Sequence, residues 1–318
     1  MRLKMAFVMD PIWSINIDKD TTFVLMLESQ QRGHEVWYLE LKDLFVKDGR
    51  AWGSVSELSL KRAEEFYTLG MRVEMPLNEF DVVWMRKDPP FNMDYIYATY
   101  ILSLIDPKKT LVINNPRGIR ESNEKLYTLN FPHLIPPTLV TKDMGKLRGF
   151  LAEMGGEIVV KPLDSCGGEG VFYVREGDKN VNVILETITE KGSRYVLAQK
   201  FIEKVSEGDK RVILLNGEPI GAVLRVAKPG EFRCNFHSGG SPVKAELESR
   251  DLEICREIAP RLVSDGLYFV GIDIIGGYLT EINTTSPTGI QEINRLCGTR
   301  LESLVIDFVE GFFQRGIL

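Results

Sequence analysis

Three oxygen-bearing residues, Asp273, Glu281 and Asn283, have the types and spacing of a cation site. They lie in Gly271-Ile-Asp-Ile-Ile-Gly-Gly-Tyr-Leu-Thr-Glu-Ile-Asn-Thr-Thr-Ser286, where Ile272, Ile274 and Ile282 recur with a period of two. That alternation predicts strands with the isoleucines on a core and the three ligands on the opposite face. Two carboxylates and an amide oxygen, with no His or Cys, suit a hard cation such as Mg²⁺, whose shell is completed by water and substrate phosphates. Register decides whether the ligands meet. A two-residue turn at Gly276-Gly277 pairs Asp273 with Thr280 and turns Glu281 away. A loop of odd length, or a bulge at the glycine pair, sets Asp273 opposite Glu281. We expect the odd loop; the ordinary alternative is a solvated hairpin with surface acids.

Phosphate-binding features occur earlier. Lys161-Pro-Leu-Asp-Ser-Cys-Gly-Gly-Glu-Gly170 leads from a predicted strand at 157–161 into another at 171–174. Gly167 and Gly168 let backbone amides approach phosphates, but the loop joins two strands and lacks the Gly-Lys-Ser/Thr ending that opens a helix. It reads as a hairpin folded over phosphates, with Lys161 at its base and Lys125 arriving from the preceding segment; a plain β-turn is the ordinary alternative. The apolar strand at 194–202 exits through Gln199, Lys200, Phe201 and Ile202, whose backbone groups can face a planar base. Arg211 and Arg225 fall on adjacent predicted strands around an Asn216-Gly217 turn. Charge pairs with nearby acids are the alternative for both. Residues 227–242 have glycines at both ends and no periodicity, as a functional mobile loop would.

These residues need elements to hold them. Strands at 3–9, 35–40, 81–86 and 110–113 alternate with helices at 20–32 and 93–104, which predicts an open, largely parallel sheet. Ligands of such sheets sit beyond the carboxyl ends of the strands. Asp10 to Asn16, Arg86 to Phe91 and Asn114 to Arg117 lie there. Arg86, before Pro89-Pro90, is placed to fork onto a substrate carboxylate, with a solvated or interface arginine as the alternative. No Gly-x-Gly-x-x-Gly follows the first strand, so nothing reads as a dinucleotide site. Residues 46–78 carry no clear pattern. Helices are expected at 121–130, 143–154, 249–265 and 299–314, with a domain boundary near residue 120.

At 44% hydrophobic content the chain reads as globular, in two or three domains. A net charge of −6 argues against nucleic-acid binding. The N-terminus lacks a signal peptide and no apolar run is long enough for a membrane helix, so a cytoplasmic protein is expected. Cys166, Cys234, Cys255 and Cys297 have no metal or redox spacing. With only His34, His133 and His237, the chemistry should not need a histidine base.

Met9-Asp10-Pro11, Met85-Arg-Lys-Asp-Pro-Pro-Phe91, Asn123-Glu-Lys-Leu126, Lys161-Pro-Leu-Asp164, Gly208-Asp-Lys-Arg211, Glu281-Ile-Asn283 and Ser286-Pro-Thr288 occur in that order along the chain. Together they resemble the bacterial type of glutathione synthetase, an ATP-grasp ligase. The resemblance implies an α/β N-terminal substrate domain over 1–120, followed by an α+β two-subdomain ATP-grasp fold over 121–202 and 203–318, with a lid at 227–242. It implies that Lys125, Lys161, Gly167 and Gly168 contact ATP phosphates, that Gln199 to Ile202 hold adenine and that Asp209 contacts the ribose. Asp273, Glu281 and Asn283 would bind two Mg²⁺ ions, with Mn²⁺ as a substitute. Arg225 would face the transferred phosphoryl group beside Arg211, with Arg233 and Gly240 in the lid. Asp10, Asn16, Arg86, Asn235 and Ser286 would meet the peptide substrate. The expected reaction joins γ-glutamylcysteine to glycine at the expense of ATP, in a homotetramer. The alternatives are another ATP-grasp carboxylate-amine ligase and a non-catalytic ATP-binding regulator. The family's Asp-Gly-Met-Gly-Gly stands here as Asp164-Ser-Cys-Gly-Gly168, and its Arg-Gly near the lid's end as Ser241-Pro242.

Overall fold

A computed structural model describes residues 1–314 and Gly316. Among them the strands form three sheets. The first contains β1 (Lys4–Val8), β2 (Glu35–Leu39), β3 (Leu44–Lys47), β4 (Arg50–Leu60), β5 (Tyr67–Pro76), β6 (Val82–Met85) and β7 (Leu111–Ile113). β2, β1, β6 and β7 run parallel, as the alternation of elements requires. Their side chains face cores on both sides: β6 is buried at every position, as expected of a strand covered on both faces. The unpatterned stretch 46–78 forms β4 and β5, a long antiparallel pair joined to β2 that extends the sheet. β5 is exposed or half-buried throughout, so it has no apolar periodicity to read.

Helices α1 (Thr21–Gln31) and α2 (Met93–Leu102) belong to this unit. Asp20 starts α1 by accepting from the Phe23 N–H at 2.6 Å, and Asn92 starts α2 by accepting from that of Tyr95 at 3.0 Å. Next comes α3 (Pro116–Glu121), with Asn115 as its cap. The expected helix over 121–130 is broken. Asn123 Oδ1 accepts from the N–H groups of Lys125 and Leu126, and only a short 3₁₀ turn, Leu126–Asn130, follows. Asparagine competes with helix in this way because its side chain satisfies local amides. The break leaves Lys125 on an irregular segment that reaches the cavity described below.

The second sheet, ordered β10-β9-β11-β8, is antiparallel and comprises β8 (Thr138–Thr141), β9 (Glu157–Pro162), β10 (Phe172–Arg175) and β11 (Val196–Lys200). Helices α4 (Met144–Glu153) and α5 (Val181–Ile188) share one core with it. The third, ordered β14-β13-β12-β15-β16, comprises β12 (Asp209–Leu215), β13 (Glu218–Val226), β14 (Ser241–Lys244), β15 (Phe269–Ile275) and β16 (Tyr278–Asn283). Helices α6 (Ser249–Ser264) and α7 (Ile290–Cys297) pack on it, and α7 and α8 (Leu301–Gln314) also pack against α1. Asn114 ties the sheets together: its amide donates to Phe269 O and Thr284 O and accepts from Phe269 N–H, all within 2.9 Å. Among the described residues, no helix is long and apolar enough to cross a membrane.

Candidate active site

The hairpin β15–β16 brings the three expected ligands to one face, by a route other than the odd loop. Ile275 pairs with Tyr278 across a two-residue Gly276-Gly277 turn, and the register shifts between Asp273 and Ile274. Thr280 is the extra residue of a bulge, so Asp273 stands opposite Glu281 and Ile272 opposite Ile282. The bulge therefore sits inside the strand pair and not at the glycines.

Asp273 and Glu281 line a cavity between the second and third sheets, together with Lys125, Lys161, Gln199 and Asp209. Lys125 Nζ lies 3.1 Å from Glu281 Oε1 and donates to Ser165 O at 2.5 Å. Lys161 Nζ donates to Gln199 Oε1 at 3.1 Å, and burial pushes its pKa down. Gly167, Gly168, Lys200, Phe201 and Ile202 line the same space. Phosphate loop, lysines, strand exit and hairpin acids thus converge around one cavity, lysines and acids adjoining.

Asp273 is already engaged. Arg211 Nε and Nη2 donate to its two oxygens at 2.5 and 3.1 Å, and Arg225 Nη2 lies 3.0 Å from Oδ2. Burial opposes the charge, yet Arg211 and then Arg225 hold the Asp273 carboxyl well below the usual range. Arg225 also pairs with Asp209, whose carboxyl burial raises to about 6. Asp209 Oδ1 and Arg225 Nε are buried without partners. Both arginines therefore sit on carboxylates, the alternative that the strand pattern left open. Asn283 Nδ2 donates to Gly271 O at 3.2 Å, beside Asp273.

Among the described residues no group of three or more His, Cys, Asp and Glu side chains could hold a metal by themselves. Asp273 and Glu281 with the Asn283 amide fit a cation that also takes phosphate oxygens. Phe232, Arg233, Cys234 and Asn235, in the 227–242 stretch expected to act as a lid, line the same cavity. Arg233 Nη1 donates to Gly168 O and Ser238 Oγ to Gly167 O, both at 3.1 Å, so this stretch touches the 161–170 loop. A methyl group on Gly240 would lie 1.9 Å from Cys234 O, so the turn there admits only glycine.

A second cavity is lined by Asp10, Asn16, Arg86 and Phe236, the last from the stretch expected to act as a lid. Asp10 accepts from Asp88 N–H at 2.8 Å and pairs with Lys87 at 2.8 Å. Ser286 bonds to Asp88, and Asn235, expected with the peptide substrate, lines the first cavity. Asn114 to Arg117 line neither cavity; Asn114 is a strut between sheets.

Glu124 was missed by the sequence reading. Its Oε1 accepts from the N–H groups of Thr284 and Thr285 and from Thr285 Oγ1 at 2.8–3.1 Å, and its carbonyl accepts from Ile282 N–H. It fastens the Lys125 segment to the end of β16. A charged residue beside Lys125 in Asn123-Glu-Lys was the only signal.

Residues 3–120 match the family of the prokaryotic glutathione synthetase N-terminal domain, and residues 124–298 that of its ATP-grasp domain. The chain belongs to the prokaryotic glutathione synthetase family. Family relatives include the glutathione synthetase of Thermosynechococcus vestitus, 46% identical over 96% of this chain and 98% of the relative. That of Nostoc sp. is 48% identical over 98% and 99%, and that of Salmonella typhimurium 44% over 97% and 98%. Among solved structures, the D-cycloserine synthetase DcsG superposes with a TM-score of 0.68 over 96% of this chain and 99% of its own, at 15% identity. The macrocyclase MdnC, bound to its precursor peptide, superposes at 0.66 over 97% and 100%, at 12% identity. These two share the fold of the family.

Proposed function

We propose that the protein joins γ-glutamylcysteine to glycine, with ATP converted to ADP and phosphate. The single observation that carries this is full-length membership of the glutathione synthetase family, with two lysines, a glycine loop and hairpin acids lining one cavity. It is an ATP-dependent carboxylate-amine ligase, and its ATP-grasp unit uses a divalent cation.

The dipeptide's cysteinyl carboxylate attacks the γ-phosphoryl group, ADP leaves, and glycine's amine then displaces phosphate from the acyl phosphate. A carboxylate is an anion at neutral pH, so the first step needs no general base, consistent with the absence of histidine from the residues assigned here. Lys125 and Lys161 neutralise the phosphates, Gly167 and Gly168 offer backbone amides, and Gln199 to Ile202 receive adenine, with Asp209 toward the ribose. Asp273, Glu281 and Asn283 would hold two Mg²⁺ ions, or Mn²⁺, which would offset the charge developing on the transferred phosphoryl group. Arg211 and Arg225 hold Asp273 in place, and Arg225 would face the transferred phosphoryl group. Arg233, Asn235 and Gly240 belong to a lid over 227–242 that excludes water from the acyl phosphate. Asp10, Asn16, Arg86 and Ser286 form the peptide end. Substrate and ATP-grasp units divided at 120 and 202, a homotetramer and a cytoplasmic location complete the reading, supported by the family resemblance.

ADP release is measured with ATP, Mg²⁺, γ-glutamylcysteine and glycine, together and with each omitted. Release that needs both, with the tripeptide seen by mass, is the expected result. Release with another acceptor overturns the substrate, and nucleotide binding without release under any pairing overturns catalysis.

A further inference from the structure

The 161–170 loop and the 227–242 stretch meet at a peptide bond that the loop does not orient by itself. Cys166 O accepts from the Glu169 N–H at 3.1 Å, which closes a turn around Gly167 and Gly168. Both glycines have positive φ, 64° and 83°. A turn with positive φ at both central residues differs from one with positive φ at the first alone by a flip of the peptide between them. Glycine takes either sign of φ at similar cost, so the turn itself does not choose. Among the described residues, the N–H groups of Gly167 and Gly168 have no acceptor.

The choice is made from outside the loop. Ser238 Oγ donates to Gly167 O at 3.1 Å, and no other described group reaches that carbonyl. A trans peptide points its N–H opposite its C=O, so this bond turns the Gly168 N–H away from Ser238. Arg233 on Gly168 O decides less, since the Val171 N–H already meets that oxygen at 3.4 Å. Ser238 is held for the task. It ends a 3₁₀ turn, Phe236–Ser238, which the Gly240 N–H closes on Asn235 O at 3.0 Å. The approach is close: a Cβ on Gly168 would lie 2.8 Å from Asn235 Oδ1 and 3.0 Å from Ser238 Oγ. That glycine therefore admits the 227–242 stretch as well as the turn.

We infer that Ser238 is a positioning residue for ATP: by holding Gly167 O it sets the peptide so that the Gly168 N–H meets a phosphate oxygen. The inference rests on the proposed placing of ATP phosphates on the 161–170 loop and names what orders that loop. Successive N–H groups in a turn attract an anion, whereas the flipped peptide would set its carbonyl oxygen against the phosphate. The 227–242 stretch is then part of the nucleotide site and not only a cover for the acyl phosphate.

The test measures Kd for the β,γ-imido analogue of ATP with Mg²⁺, and for adenosine, which has no phosphate, in the wild type, Ser238→Ala and Ser238→Thr. Ser238→Ala should bind the analogue about fivefold more weakly, the scale of one hydrogen bond, and adenosine as the wild type does. Ser238→Thr keeps the hydroxyl and should bind both as the wild type does. In turnover, Ser238→Ala should show a matching rise in KM for ATP, with ADP and tripeptide still formed in equal amounts. Equal binding of the analogue by the wild type and Ser238→Ala overturns the inference, and ADP in excess of tripeptide would then leave the contact as a cover alone. A loss shared by adenosine, or one as large in Ser238→Thr, overturns it too. A wild-type protein that does not bind the analogue overturns the nucleotide reading beneath it.

Discussion

Lys161 and Glu281 both line the first cavity, and each has a proposed role there. Lys161 has one side-chain partner, Gln199, and lies deep enough for burial to push its pKa down. Glu281 is bonded through Lys125, which is itself fastened by Glu124. Losing one preorganised charge in such a site costs about 3–4 kcal/mol in the transition state, so Lys161→Ala and Glu281→Gln should each lower kcat at least about a hundredfold. Turnover within a few-fold of wild type would remove those roles. Asp20 makes a prediction in pH. Burial raises its carboxyl from 3.8 to about 6, so between these values the folded chain binds more protons than the unfolded one. Its contribution to stability therefore falls as pH rises through that window. Asp20→Asn removes the titration and keeps the cap, so the variant should gain on the wild type by up to about 3 kcal/mol more near pH 7 than near pH 4. Urea unfolding at the two pH values measures this, and an equal difference at both would contradict it. Residue types were legible in the sequence where they could be matched to a motif, as with Asp273, Lys161 and Arg86. Glu124 and Asp20 were not, because an acid's role depends on which amides and cavities the fold brings to it.

The hairpin β15–β16 shows what periodicity can and cannot decide. Alternation put Ile272, Ile274 and Ile282 on one side, and the structure buries all three. Alternation is silent about where a strand breaks step, and the bulge at Thr280 is set by local pairing that leaves no mark in an apolar pattern. Thr280 Oγ1 donates to Asp273 O at 3.1 Å across the irregularity, which steadies it. Deleting Thr280 would remove the bulge and leave Glu281 directly after Leu279, where an unbroken two-residue hairpin still pairs it with Asp273 on the same face. Activity should therefore stay within about tenfold of wild type, whereas loss of the carboxylate itself lowers it at least about a hundredfold. A deletion variant as inactive as Glu281→Gln would show that the bulge does more than set Glu281 opposite Asp273. The same limit explains the other departures in the elements. β5 was invisible because neither face is buried, and the helix expected over 121–130 broke where Asn123 bonds the following amides.

At the scale of the molecule, the two cavities answer to different joints. The first lies between the second and third sheets, within the C-terminal unit. The second lies where the first sheet meets α7, and that joint depends on α8 packing against α1. Arg32 at the end of α1 reaches across it, bonding Glu28 at 2.8 Å, Asp307 at 2.6 Å, Ser303 Oγ at 2.6 Å and Glu310 at 3.2 Å. His34, buried beside it, accepts from Leu3 N–H through Nδ1 and bonds Glu310 through Nε2 at 2.8 Å. None of this was legible in the sequence, since the partners lie some 270 residues apart and nothing in either helix's own pattern names the other. That β2, β1, β6 and β7 run parallel was legible, because alternating strands and helices favour a parallel sheet. Arg32→Ala leaves Glu28 with Arg300 alone and removes the bonds of Arg32 to Ser303, Asp307 and Glu310 on α8, so it should lower stability by about 2 kcal/mol. Its kinetic effect should be one-sided. Loosening α8 disturbs α7, which bears Gln291 and the second-cavity residue Glu292, whereas no residue lining the first cavity lies on α7 or α8. KM for the dipeptide should therefore rise several-fold with KM for ATP unchanged. Equal increases in both would mean that the two cavities move as one body and that the joint carries no separate control of the peptide end.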